Sequence, residues 1–245
     1  MTRAEPQNEP RPAFRLFDAA VGLVGVRVPR LVSRRFPEVL WRMPGDEQRL
    51  YLTFDDGPDP KPGGTAALLD RLDRIGARAT FFFLGQNAAH DGGLVRAVHD
   101  AGHTVGNHTY SHPDPWKTRP DRLLAEAERT QAMLEDLTGA AAPYFRPPYG
   151  HLTGAVRDWT RRTDGQVVMW DVMPGDFLAS AEPDRIAHHV VRFARPGSVV
   201  VLHEGGRARA VTPAALDQLL PRLRDAGWSF PALPPVPLAL PAPTV

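Results

Sequence analysis

From residue 48 to residue 232 the chain alternates two kinds of hydrophobic pattern. Residues 50–54, 79–84, 104–107, 144–146, 167–172 and 198–202 are short, nearly continuous apolar runs with strand character, and 228–232 is a candidate seventh. Between them lie longer stretches with apolar residues at helical spacing. Residues 65–77 carry Leu68, Leu69, Leu72 and Ile75 on one stripe and end at Gly76. Residues 122–137 carry Leu123, Leu124, Ala127, Met133, Leu134 and Leu137 and are closed by Gly139. Residues 94–101, 153–163, 184–194 and 213–226 predict further helices.

Strands that are apolar throughout are buried on both faces, which predicts a parallel sheet in an α/β fold. About seven such units in one domain favour a closed or nearly closed (β/α) barrel. An open doubly wound sheet is the alternative, and no G-x-G-x-x-G follows a strand to support dinucleotide binding.

The ends of the chain read differently. Residues 1–12 are polar and proline-bearing, and 14–46 predict partial helix broken at Pro29, Pro37 and Pro44. Residues 231–245 form a proline-rich tail. The apolar run 19–26 is too short to span a bilayer. Asp18 before it, and the lack of a small-x-small cleavage site, argue against a signal peptide. The run reads as a helix that packs on the domain. The cytoplasm is the default compartment, with envelope association or export left open.

Composition narrows the chemistry. With 29 Lys and Arg against 28 Asp and Glu, the chain has no electrostatic footprint for nucleic acid or an anionic membrane. It has no cysteine, so disulfides, thiolate ligands and a thiol nucleophile are excluded, and any metal must be held by His and carboxylate. Oligomeric state is not legible.

The chemically able residues all follow strands. Asp55 and Asp56 follow the first, His108 and His112 the third, Arg146 to Gly150 the fourth, Asp171 to Phe177 the fifth and His203 the sixth. In a β/α barrel these C-terminal strand ends form one rim, where active sites are built. His108 and His112 have the H-x-x-x-H spacing that puts two imidazoles on one face of a helical turn. Asp55 or Asp56 can supply a third, oxygen ligand. Asp-Asp-Gly-Pro is also a good plain turn, but neighbouring side chains on an extended segment point opposite ways. One carboxylate can then bind a metal while the other faces substrate as a general base. Arg146 reads as the charge partner of these carboxylates. Pro147-Pro148 fixes Tyr149 so that its N–H can aim at an oxyanion. His203 with Asp176 suits a general acid oriented by a carboxylate. His90, His99, His151, His188 and His189 read as surface or structural, and His103 as structural ahead of the third strand. Ser111 and Ser198 lack a nucleophile-elbow context.

Thr53-Phe54-Asp55-Asp56-Gly57-Pro58, His108-Thr109-Tyr110-Ser111-His112, Arg146-Pro147-Pro148-Tyr149-Gly150, Asp176-Phe177 and Val201-Leu202-His203 resemble, in order, the five motifs of NodB-type polysaccharide deacetylases, carbohydrate esterase family four. The likeness covers roughly residues 48–228. It divides the chain into an N-terminal extension (1–46), a NodB-homology domain (47–230) and the tail (231–245). It implies a distorted (β/α) barrel of about seven units, and a metal-dependent hydrolase that removes acetyl groups from N-acetylated sugars and releases acetate. It implies Asp55 as general base and Asp56, His108 and His112 as the ligands of a divalent metal, zinc first, with cobalt or nickel as alternatives. Arg146 would orient the acids, the Tyr149 amide would hold the oxyanion, and His203 would be the general acid tuned by Asp176. Phe177 and Val201 would line the pocket for the acetyl methyl. The family usually has Trp at position 177, Leu at 201 and Asp at 204; here stand Phe177, Val201 and Glu204. Alternative readings are an O-acetyl (xylan-type) esterase, a cyclic-amide hydrolase of related fold and a non-catalytic sugar-binding protein.

Overall fold

The structure, a computed structural model, describes residues 23–237 and 239. Six parallel strands form one sheet: β1 (Tyr51–Gly57), β2 (Thr80–Phe83), β3 (Thr104–Asn107), β4 (Tyr144–Phe145), β5 (Gln166–Val167) and β6 (Val199–His203). Their order is β5-β4-β3-β2-β1-β6. Isolated bridges span the gap between the two edge strands. Leu40 pairs with Val168, Arg42 with Ser198, and Val172 with Val200. The sheet therefore curls into a distorted barrel that is stitched, rather than laddered, at one seam.

Helices cover its outside: α1 (Val28–Val32), α2 (Thr65–Arg74), α3 (Gly85–His90), α4 (Gly92–Asp100), α5 (Pro120–Thr138), α6 (Gly154–Thr163), α7 (Pro183–Phe193) and α8 (Ala208–Asp225). Strand alternation separates two apolar layers. Along β2, Phe81 and Phe83 pack outward with Leu68 and Leu72 of α2 and Val95 and Val98 of α4. Phe82 belongs to the other layer, with Tyr51, Tyr144, Val168, Val199 and Leu233. This two-sided burial is what the continuous apolar runs predicted.

The helix ends follow their local chemistry. Pro120 starts α5, where its missing N–H costs nothing, and Gly139 ends it with φ +73°. Thr153 caps α6 by accepting from the Val156 N–H. Several expected boundaries move. Pro213 lies inside α8, which starts at Ala208 instead of at the proline. The short α3 has no counterpart in the periodicity. The expected strand at 167–172 reduces to Gln166–Val167 plus single bridges at Val168 and Val172. The candidate at 228–232 forms one bridge, Ser229 to Arg49. Pro231 deprives that segment of one ladder donor. Among the described residues the distorted barrel thus has six named strands, with isolated bridges beside them. Of the expected N-terminal helix, 23–32 is helical. Residues 14–22, which include the first half of the run 19–26, and the last residues of the tail lie outside the described residues. Among the described residues no helix is long and apolar enough to cross a membrane.

Phe81 touches Phe54, Phe83 and His103 at ring-centroid distances of 5.0, 5.9 and 5.4 Å and is fully buried. Phe81→Ala is expected to cost about 3–5 kcal/mol. Urea denaturation checks it: a lower midpoint with an unchanged slope is the expected outcome.

Candidate active site

The expected rim exists. Asp55 stands opposite His203 in the β1–β6 register, and the Glu204 N–H donates to the Asp55 carbonyl at 3.1 Å. The two acids are not separated by strand alternation, however. A bulge between Asp55 and Gly57 inserts Asp56, with φ +73°, as an extra residue against β2. That bulge re-aims Asp56. Both carboxylates now approach His108: its Nε2 is 3.9 Å from Asp55 Oδ2 and 3.5 Å from Asp56 Oδ1. The Gly57–Pro58 peptide is cis, and the Asn87 side chain donates to the Asp56 carbonyl at 2.8 Å.

The two histidines do not share a helical turn. Residues 108–112 form a loop in which Thr109 and His112 have φ of +69° and +59°. Asn107 fixes its start by accepting from the Thr109 N–H at 3.0 Å, and Glu126 of α5 accepts from the Ser111 N–H at 2.7 Å. Folding back in this way brings His112 Nε2 within 3.4 Å of Asp56 Oδ1.

Asp56, His108 and His112 each offer one ligand atom, all within 4.8 Å of one another. Three observations test whether they suit a divalent cation. His108 Nδ1 lies 2.6 Å from the Arg146 carbonyl, so it carries the proton and leaves the Nε2 lone pair facing Asp56. Asp56 Oδ1 is buried and has no hydrogen-bond partner among the described residues. Burial, followed by the neighbouring His108, lowers the His112 pKa and favours the neutral imidazole that ligation needs. Two imidazoles and a carboxylate around one point are a three-ligand set that leaves a position open for water.

Arg146 is fully buried and stands over the Phe82 ring at 4.2 Å. Its Nη1 donates to Asp55 Oδ1 at 2.7 Å and to the Thr53 hydroxyl at 2.6 Å. Nε and Nη2 donate to the carbonyls of Val168 and Met169. Every arm of the fork is occupied, so it holds Asp55 in place. Burial lowers the Arg146 pKa and Asp55 counters it.

Across the rim, Asp176 is fully buried and accepts three hydrogen bonds. They come from His203 Nδ1 at 2.9 Å, the His203 N–H at 2.7 Å and the Thr212 hydroxyl at 2.8 Å. The pair fixes the His203 ring with Nε2 toward the cleft. Burial alone would lower the His203 pKa. Asp176, then Asp55 and Asp56, outweigh it and push it up to about 9. Phe177 edges onto the His203 ring at 5.0 Å, and Val201 lines the cleft beside it. Tyr149, with φ +57°, is exposed and sets its ring 4.6 Å from that of His112.

Two arms of one cleft meet at Asp56, His112, Phe177 and His203. One, of about 660 Å³, carries the charged and polar side chains of Asp59, Lys61, Asn87, Arg207 and Arg209. The other, of about 780 Å³, is walled by Trp41, Trp116, Leu152, Met169, Trp170 and Met173, with Val28, Pro29 and Val32 of α1.

Sequence reasoning missed three features. Glu204 is fully buried under the Asp56–Gly57 turn, accepts from the Thr65 hydroxyl and has a pKa raised well above the usual carboxylate range, first by burial. Its place beside His203 was the available signal. The α1 wall was missed because helix periodicity in 23–32 does not say which face meets the rim. His151, expected to be surface or structural, stacks under Trp116 inside the cleft. His103 is structural as expected: its Nδ1 accepts from the Ala79 N–H at 3.0 Å.

Comparison with known proteins bears on the family of the chain. Residues 42–168 match the family model described as polysaccharide deacetylase. A peptidoglycan-N-acetylglucosamine deacetylase of Bacillus cereus is 35% identical over 193 residues, covering 78% of this chain and 69% of that protein. A chitooligosaccharide deacetylase of Bradyrhizobium is 35% identical over 197 residues, covering 76% and 89%. Among solved structures, a peptidoglycan N-acetylglucosamine deacetylase bound to 4-naphthalen-1-yl-N-oxidanyl-benzamide superposes with a TM-score of 0.76 at 33% identity, covering 82% of this chain and 94% of that one. The chain belongs to the polysaccharide deacetylase family, carbohydrate esterase family four.

Proposed function

We propose that this protein removes the acetyl group from N-acetylglucosamine units of a glycan, releasing acetate and leaving a free amine. The observation that carries the reading is the pairing, across one cleft, of an Arg146-held Asp55 with an Asp176-held His203, beside the Asp56, His108 and His112 cluster. The cleft also continues on both sides of that centre, which suits a glycan chain better than a free monosaccharide.

Asp56, His108 and His112 would hold the divalent metal, zinc first and cobalt or nickel next. When bound, that ion supplies Lewis-acid polarisation of the acetyl carbonyl and of a water. Asp55 accepts the proton of the attacking water on its Oδ2, the oxygen Arg146 leaves free. The Tyr149 backbone N–H donates to the acetyl oxygen as negative charge develops there. His203 delivers its proton from Nε2 to the departing sugar nitrogen. Phe177 and Val201 enclose the acetyl methyl.

Acetate release from chitooligosaccharides, peptidoglycan and acetylated xylan, with chelator and with zinc, cobalt or nickel added back, tests the reading. Faster release from xylan than from the N-acetyl substrates would move the assignment to an O-acetyl esterase. The roles separate by mutation. Asp55→Asn is expected to keep its metal content and lose about 100-fold or more in kcat. His108→Ala is expected to lose the metal itself, as elemental analysis of the purified protein reads directly.

His203 must be protonated to act, so activity fails as pH rises through its pKa. Asp176→Asn removes the largest influence that raises this pKa and leaves burial to lower it. The alkaline limb of the kcat/KM profile, expected near pH 9 in the parent by that value, should move to lower pH in the variant. An unmoved limb would assign the acid elsewhere.

A further inference from the structure

Trp116 is the most exposed of the described large aromatic side chains, 68% exposed, yet it is held in one orientation. One face of its indole lies on His151, ring centroids 3.5 Å apart and planes within 4°. Its Nε1 donates to the Leu152 carbonyl at 3.4 Å. Asp114 ties the arrangement together. Its Oδ1 accepts from the Trp116 N–H at 3.0 Å and meets His151 Nδ1 at 2.7 Å, and its Oδ2 faces Lys117 Nζ at 3.3 Å. The His151 hydrogen bond is the largest influence lowering the Asp114 pKa.

The position of this pair is specific. Rings step outward from the candidate metal cluster. His112 meets Tyr149 at 4.6 Å, Tyr149 meets His151 at 5.7 Å, and His151 backs Trp116. Trp116 and His151 line the same apolar arm as Asp55, Asp56 and His108. A surface tryptophan with no task would lay its apolar face down. This one is braced from behind and open in front. A π face carries partial negative charge, and the C–H face of a pyranose ring offers many weakly positive hydrogens in a plane. Bracing removes the ordering cost that a mobile side chain would impose on binding.

We propose that Trp116, braced by His151 and Asp114, is the platform for a sugar ring of the glycan next to the unit that is deacetylated, and so sets the chain length the enzyme prefers. The inference rests on the deacetylase reading above and adds a specificity-determining residue to it. Lys117 is already paired with Asp114, so the platform itself offers no free charge for an anionic partner. Flat, neutral C–H surface is what it can recognise.

The test uses the metal-loaded full chain with N-acetylated chitooligosaccharides from dimer to hexamer. In the parent, kcat/KM should rise with length. In Trp116→Ala the ratio of kcat/KM for tetramer over dimer should fall roughly tenfold, carried by KM, the size expected of one lost ring contact. Trp116→Phe should restore most of that ratio, and His151→Ala should give an intermediate loss, since it acts only by bracing the indole. An unchanged length dependence in Trp116→Ala overturns the proposal, as does a loss equal for dimer and tetramer or confined to kcat. Calorimetric titration with the tetramer decides the platform separately from turnover. Equal affinity of parent and Trp116→Ala rejects it, even if no oligomer releases acetate and the deacetylase reading itself has failed.

Discussion

A buried guanidinium organises this candidate site. Arg146 leaves β4 and places four donors inside the barrel mouth, on Asp55, Thr53 and the carbonyls of Val168 and Met169. It thereby joins β1 to the chain after β5, at the part of the barrel where the ladder gives way to isolated bridges. A charge this deep is tolerable only when fully paired and hydrogen-bonded. The pairing constrains both sides: Asp55 cannot rotate away without stranding the arginine. The Arg146 carbonyl also accepts from His108 Nδ1, which selects the tautomer that aims Nε2 at Asp56. One residue therefore positions the expected base through its side chain and an expected metal ligand through its backbone.

The fold was legible where burial alone decides it. The Phe-rich run of β2 and the stripe of α5 read correctly because apolar continuity and helical period are direct records of two-sided and one-sided burial. It was illegible where backbone hydrogen bonding decides. The segment after Val167 has strand composition but makes only single bridges, and 228–232 makes one bridge before Pro231. The helix periodicity also missed the start of α8, since Pro213 resembles a first-turn residue and is an interior one.

The convergence of the candidate residues on one rim was legible, and the geometry that brings them together was not. Rim placement brought Asp55, Asp56, His108, His112, Arg146, Asp176 and His203 together as expected. The reasons differed. A helical turn was expected to unite His108 and His112, yet a loop with two left-handed residues does so. Alternation was expected to divide Asp55 from Asp56, yet a bulge turns both toward His108. Positive φ at Asp56, Thr109, His112 and Tyr149 is the shared device. A chain of L-residues gives little sign of such conformations, because they are imposed by the surrounding packing. The Trp116 platform was hidden for a related reason: His151 follows a different strand from the loop that bears Trp116.

Glu204 carries a consequence for how separable these parts are. A Cβ at position 57 would overlap its carboxyl, so any larger residue in the turn after Asp56 would have to displace the Glu204 side chain. Glu204 in turn accepts from Thr65, and Thr65 Oγ1 accepts from the Asp59 N–H at 2.8 Å at the start of α2. The Asp-Asp-Gly-Pro turn, the first turn of α2 and the residue after His203 therefore form one interlocking unit. Transplanting the turn alone onto another barrel would carry its letters without the floor that shapes it. A graft that preserved its geometry would have to move all three pieces together.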